Sequence, residues 1–368
     1  MFKTLMLTTT ALALGASAAL AQDLSSMSWD DVVAQAKKEG ELNWYVWYFQ
    51  DDFRRVVEAF EDEYGITVNI PAGGTAQGNA DKLLAASGSD TGDIDAFSWG
   101  YGDMSTLDLA KMFQPLTMLP EDEGRINTVN QIDGGDYVLA YWGNQTGIAY
   151  DPAKVDESAL PQTPDDFAAF WQAHPGEFGF NYENGGSGPS YYSNMLRVLT
   201  DADFDDGEVT DARIAALQPG FDFFNEYADD YVITTSNADS IIRISDGELA
   251  MAPAWEDHLS SLQNSGEVRK DIKLYIPEMG MNGGGNGVAI PANAPHPAAA
   301  AVFIDWLTSP ETQTMFNMTF GTAPMNANAD DSHALVPNSQ RKYSVSGAAQ
   351  PYKGALEEAF VDNVILER

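Results

Sequence analysis

Apolar, β-prone runs alternate with helical patterns along most of this chain, and that alternation constrains the fold more than any other feature. Residues 41–49 (ELNWYVWYF) read as a buried strand, because aromatic and branched side chains suit a covered, pleated surface. Phe53, Val56, Val57 and Phe60 recur at helical spacing, Gly65 supplies a stop, and residues 66–70 form the next strand, completing a βαβ unit. A small-residue loop at 73–80 enters a helix at 81–86, and Ile94, Ala96 and Phe97 form a third strand. Further strands are expected at 137–140, 146–150, 178–180 and 247–253, with helices at 164–172, 190–199 and 212–227. Near the end, residues 283–316 combine a glycine-rich approach, a strand at 288–290, a turn marked by Pro291, Pro295 and Pro297, and a helix restarted at Ser309-Pro310. The pattern means an α/β fold.

The N-terminus carries a further constraint. Lys3, an apolar stretch at 5–16 and the small-x-small site at 19–21 read as a secretory signal, residues 1–21, cleaved after Ala21. No later run approaches the roughly 20 apolar residues of a membrane span. A secreted chain with no cysteine has no disulfides, so its stability rests on buried core. The remaining length exceeds what one core usually organises, which predicts two lobes. With 55 acidic against 19 basic residues the net charge is −36, which disfavours nucleic acid and anionic membranes as partners. The acids are spread along the chain, as on a solvated acidic surface.

Aromatic and polar clusters recur where the expected strands stop. They are Trp47 and Tyr48; Trp99 and Tyr101; Trp142 and Asn144; and Trp255, Glu256 and Asp257. Ligands of open α/β sheets sit beyond the carboxyl ends of strands, so four such clusters favour a binding cleft over plain core packing. The loop at 184–189 (NGGSGP), running into Tyr191, would present backbone N–H groups around Ser187 to an anionic group. The acidic run at 201–208 (DADFDDGE) misses the calcium-loop register and reads as a solvated loop. Catalytic signals are sparse. No cysteine nucleophile exists, Ser187 lacks the final glycine of a nucleophile elbow, and the four histidines show no metal-ligand spacing. His296, between prolines, reads as a surface residue, and His258, beside two acids, is the histidine to watch. No cofactor or metal is expected. A secreted hydrolase using Glu256 and Asp257 as an acid pair is the rival class.

The motifs Gly65-Ile66-Thr67-Val68, Tyr141-Trp142-Gly143 ahead of Gly147-Ile148-Ala149-Tyr150, Asp246-Gly247-Glu248-Leu249-Ala250, and Val288-Ala289-Ile290-Pro291-Ala292 followed by Phe303-Ile304-Asp305-Trp306-Leu307 carry a resemblance. The chain resembles the periplasmic solute-binding proteins of ABC importers, the extracellular family 1 type that includes the spermidine/putrescine, thiamine and iron binders. It is most similar to the YnjB-like subgroup. The resemblance implies the type II two-lobe fold, with hinge strands joining a lobe of 23–142 plus 284–318 to one of 147–279 plus 323–368. It also implies a monomeric, non-enzymatic receptor that traps a small solute between lobes and delivers it to a membrane permease. Polyamine binders carry a Trp and an Asp just before the Ala-Ile-Pro segment; here those positions hold Gly284 and Asn286. Glu256, Asp257 and Glu183 remain as anionic partners for an amine, and Asn144, Asn286 and Asp257 as partners for hydroxyls. An amine-bearing solute is favoured, ahead of a sugar or polyol and then an organic anion.

Overall fold

The structure, a computed structural model, describes residues 24–104, 106–130 and 132–368, so the expected signal segment lies outside the described residues. The chain enters through α1 (Trp29–Glu39), capped by the Ser28 hydroxyl and stopped by Gly40 in the left-handed region, and passes into β1 (Glu41–Tyr45). The strand is shorter than its aromatic run predicts. Phe49 turns left-handed (φ 45°), and α2 (Gln50–Val56) and α3 (Glu58–Tyr64) follow, which leaves Trp47 and Tyr48 in the bend beyond the strand.

β2 (Thr67–Asn69), α4 (Ala76–Ala86), β3 (Ala96–Gly100), α5 (Tyr101–Met104), α6 (Leu109–Met112), β4 (Thr128–Val129), β5 (Ile132–Asp133) and β6 (Leu139–Trp142) complete the first run. Next come β7 (Thr146–Tyr150), α7 (Pro164–Ala173), β8 (Gly179–Asn181), α8 (Ser187–Thr200), α9 (Asp211–Ala215) and α10 (Gln218–Glu226). They lead to β9 (Val232–Thr234), α11 (Asn237–Ser245), β10 (Met251–Trp255), α12 (Glu256–Ser265) and β11 (Lys273–Tyr275). The last elements are β12 (Met281–Asn282), β13 (Asn286–Ala289), α13 (Pro297–Leu307), α14 (Pro310–Phe320), β14 (Ser344–Val345) and α15 (Tyr352–Phe360). The expected helix over 212–227 is two helices, because Pro219 lacks the N–H an interior turn needs and instead sits at the start of α10.

Two principal sheets organise the fold. One has the order β2-β1-β3-β13-β6, parallel except that β13 runs against both its neighbours. The other is antiparallel, β10-β7-β11, and the parallel pair β8-β9 lies beside it through a Phe178–Met251 bridge. Apolar burial divides in the same way. Trp44, Phe53, Phe60, Trp142, Phe303 and Phe316 pack on the first sheet, while Phe167, Trp171, Phe178, Tyr191, Phe224 and Phe360 pack on the second. Late segments return to both: α13 joins the first core and α15 the second, so neither core is contiguous in sequence. Among the described residues no helix is long and apolar enough to cross a membrane.

Three sequence features turn out to be structural devices of the fold. Asp305, inside the Phe303–Leu307 motif, pairs with Arg125, whose guanidinium also donates to the Pro120 carbonyl (2.6 Å) and the Thr308 hydroxyl (3.1 Å), pinning the loop ahead of β4. The acidic loop at 201–208 is organised by a cation of the chain's own. Arg213 donates to the carbonyls of Asp203 (2.7 Å), Asp206 (3.0 Å) and Glu208 and lies 3.9 Å over the Tyr352 ring. His296 is 26 % exposed in its side chain and holds the buried Asp95 carboxylate through both its backbone N–H and its Nδ1 (3.1 Å). It occupies the N-cap position of α13 and is tied to Asp95, so it is not the free surface residue its prolines suggest.

Candidate functional site

The carboxyl ends of β1, β3 and β6 meet the start of β13 at one edge of the first sheet, because β13 runs opposite to β3 and β6. Asn286 opens β13 and lies between Gly100 of β3 and Trp142 of β6 in register. The chain reaches it through Gly284 (φ 137°) and Gly285 (φ 116°), conformations that L side chains seldom adopt. A Cβ on Gly285 would lie 1.9 Å from the Trp142 carbonyl oxygen. Gly284, at the tryptophan position of the polyamine pattern, has the strained φ itself, and a Cβ there would lie 2.9 Å from the Asn130 side chain.

Trp142 is fully buried, ringed by Tyr48 (5.3 Å), Phe53 (5.2 Å), Phe316 (5.6 Å) and Phe320 (4.8 Å). Its indole Nε1 donates to the Asp257 carboxylate at 3.3 Å, and this bond links the first sheet to α12 beyond the second. Asp257 is 5 % exposed. It also accepts from the His258 backbone N–H (2.8 Å) and from the Asn144 side chain. Burial raises its pKa, against which the His258 charge and these hydrogen bonds act. Tyr48 bonds Tyr141 hydroxyl to hydroxyl at 2.8 Å and the Asn286 side chain, and burial holds its phenol far above the ordinary range. Tyr48, Trp142, Asn144, Asp257 and Asn286 thus form one connected polar and aromatic cluster. Trp47 stands edge-on to Tyr48 at 4.9 Å, Trp99 sits opposite Gly287 next to Asn286, and Trp255 precedes the acids; all three are half-buried.

Other residues singled out from sequence lie elsewhere. Tyr101 is 3 % exposed and its hydroxyl bonds the Asn127 carbonyl, which places it in the core under α5. Tyr191 is fully buried against Phe167, Phe178 and Phe180. The anion hold expected at Ser187 is filled by the protein itself. Helix α8 starts at Ser187, earlier than expected, and its first N–H groups donate to the Asn237 Oδ1 (3.1 Å) and the Asn181 Oδ1 (3.2 Å), while the Ser187 hydroxyl also bonds Asn237 (2.6 Å). With those donors used and Ser187 fully enclosed, that loop does not present the nest its glycines predict.

Glu256 and Asp257 begin α12, where the helix N-terminus favours both negative charges. Glu256 is fully buried and paired with Arg341, Nη2 to Oε2 at 2.8 Å and Nη1 to Oε1 at 3.3 Å, and it accepts the Ala323 backbone N–H. Its own N–H donates to Gln145 (3.0 Å). Arg341 was not singled out from sequence; the available signal is that in a chain this acidic any buried carboxylate needs one of few cations. The two carboxylates have different partners, Arg341 for Glu256 and Trp142 with Asn144 for Asp257. Among the described residues no group of three or more His, Asp or Glu side chains is placed to hold a metal ion. The surface pockets beside Leu116 and Phe170 share none of the cluster's residues.

Burial lifts the Glu256 pKa to about 7 even with Arg341 opposing the shift. Between its ordinary value and 7 the folded chain holds a proton that the unfolded chain has released, so this group's contribution to stability falls as pH rises through that window. Denaturant unfolding from pH 5 to 8 is expected to show a loss on the order of 2–3 kcal/mol from this group. Glu256→Gln should remove that part of the slope; an unchanged slope would assign the pH dependence to other acids.

The profile of the bacterial extracellular solute-binding proteins matches residues 55–342. No curated protein matches the chain. Among solved structures, the spermidine/putrescine substrate-binding protein PotD of Streptococcus pneumoniae is similar at 16 % identity and a TM-score of 0.68, covering 89 % of this chain and 99 % of that one. UgpB of Mycobacterium tuberculosis, in complex with glycerophosphocholine, is similar at 17 % identity and 0.67, covering 88 % and 96 %. Iron-bound HitA of Pseudomonas aeruginosa is similar at 18 % identity and 0.62, covering 88 % and 99 %. These likenesses show the fold of periplasmic solute-binding proteins, and the profile match over most of the length settles membership: the chain belongs to the bacterial extracellular solute-binding protein family.

Proposed function

We propose that this chain is the periplasmic solute-binding component of an ABC importer, a monomeric, non-enzymatic receptor. Its lobes would be 23–142 plus 284–318 and 147–279 plus 323–368, closing on a small organic solute and presenting it to the permease. The favoured solute bears an amine. The observation that carries this reading is the buried Asp257 carboxylate at the junction of the two sheets, bonded to Trp142 and Asn144, with Tyr48 packed on Trp142 and Trp47 edge-on to Tyr48. A carboxylate bordered by aromatic side chains suits a cation, each aromatic face contributing roughly 0.5–2 kcal/mol. Of the structural neighbours named above, one is named for spermidine and putrescine, one is in complex with glycerophosphocholine and one is iron-bound, so their range does not select a ligand for this chain.

The test is a thermal-shift screen of the mature protein against amines, thiamine-like compounds, sugars, carboxylates and sulfonates. Amines are expected to raise the melting temperature, since a ligand at 100 times its Kd adds about 2.7 kcal/mol. A shift from sugars or carboxylates alone would replace the amine reading. Hydrolysis of model glycosides or esters, abolished by Glu256→Gln, would replace the receptor reading.

A further inference from the structure

The charges around the cluster are unequally compensated. Glu256 is answered by Arg341 at 2.8 Å. Asp103, in α5 just beyond β3, faces the field of Lys353 on α15. Glu183, on the loop before α8, is exposed to water, where its charge is screened. Asp257 alone among these is enclosed without a Lys or Arg partner; the basic group whose field reaches it is the imidazole of His258. The site therefore asks for one positive charge, since a second one would enter a desolvated region with no carboxylate to meet it.

The form of that charge follows from the hydrogen bonds. Oδ1 of Asp257 accepts the His258 N–H at 2.8 Å, Oδ2 accepts the Trp142 Nε1 at 3.3 Å, and the Asn144 side chain supplies a further bond. Asn286 is engaged with Tyr48. A primary ammonium must place three N–H donors, and these three bonds leave Asp257 about one of its roughly four acceptor positions. An ammonium whose nitrogen is fully alkylated has no N–H to satisfy. It needs only the charge of Asp257 and the faces of aromatic side chains, the known means of recognising quaternary ammonium.

We propose that the cluster of Asp257, Trp142, Asn144, Tyr48 and Asn286, with Trp47, Trp99 and Trp255 at its edge, selects a monovalent, N-alkylated organic cation over di- and polyamines. This rests on the amine reading above and narrows it. The probes are choline, ethanolamine, putrescine, spermidine and glucose, measured by calorimetry on the mature protein at pH 8, above the ordinary titration range of histidine. Choline is expected to bind at least 10-fold more tightly than ethanolamine or putrescine. Asp257→Asn, which keeps an acceptor for Trp142, is expected to lose at least 10-fold in choline affinity. Trp47→Ala, which leaves the core intact, provides a second variant and should also weaken choline binding several-fold. Tighter binding of putrescine or spermidine than of choline would overturn the monovalent assignment and leave the amine reading standing. Glucose binding without any cation, or no binding of any cation, would overturn both. Choline affinity unchanged in both variants would remove the cluster as its site.

Discussion

Arg341→Ala is expected to destabilise the protein by about 3–5 kcal/mol at pH 8, the cost of leaving one partner of a buried ion pair alone. Glu256 has no exposed surface, and its remaining neighbours are the Ala323 N–H and the like charge of Asp257. The loss should shrink as pH falls below 7, because the Glu256 pKa lies at about 7 and a protonated carboxyl no longer needs the guanidinium. Pairing Arg341→Met with Glu256→Gln should recover most of the stability, since removing both charges avoids the orphan. Urea unfolding at pH 8 and pH 5.5 separates the cases. A loss below about 1 kcal/mol, equal at both pH values, would show that the pair is solvated in solution and behaves as a surface bridge.

Trp142→Ala is expected to cost about 3–5 kcal/mol, the range for deleting a large buried aromatic. Sequence placed Trp142 among the ligand-contacting aromatics; its full burial among Tyr48, Phe53, Phe316 and Phe320 makes it a core residue whose Nε1 alone reaches the candidate site. Trp142→Phe divides the two contributions. It keeps most of the packing and removes the N–H, so about 1–3 kcal/mol should be lost through Asp257. If Trp142→Ala unfolds at the same denaturant concentration as the parent while ligand binding disappears, the residue faces the cleft and the core assignment fails.

Much of the architecture was legible. The βαβ start, the α13 and α14 pair restarted at Ser309-Pro310, and the Gly40 and Gly65 stops all follow from local chemistry that acts within a few residues. The errors occurred where a residue several positions away decided the outcome. The aromatic run at 41–49 read as one strand, but Phe49 turns and lifts Trp47 and Tyr48 out of it. The loop at 184–189 read as an anion nest, but Asn181 and Asn237 occupy its donors. The acidic run at 201–208 is the exposed loop its composition predicts, and only the Arg213 that ties its carbonyls together went unread.

For the candidate site, residue types at strand ends pointed to the right edge of the sheet, since the end of a strand is a local property. Which of those residues meet was not local. Asp257 reaches Trp142 across 115 positions, and Arg341 reaches Glu256 across 85. Sequence by itself determined the α/β class, the main alternation of strands and helices and the excess of acid, because propensity, capping and hydrophobic period operate over one or two turns. Only the tertiary structure decided that Tyr101 and Tyr191 are core, that Glu256 is paired with Arg341 and that Asp257 is enclosed without a Lys or Arg partner. Burial and charge pairing depend on which distant segments close over a side chain, and a linear pattern does not encode that directly.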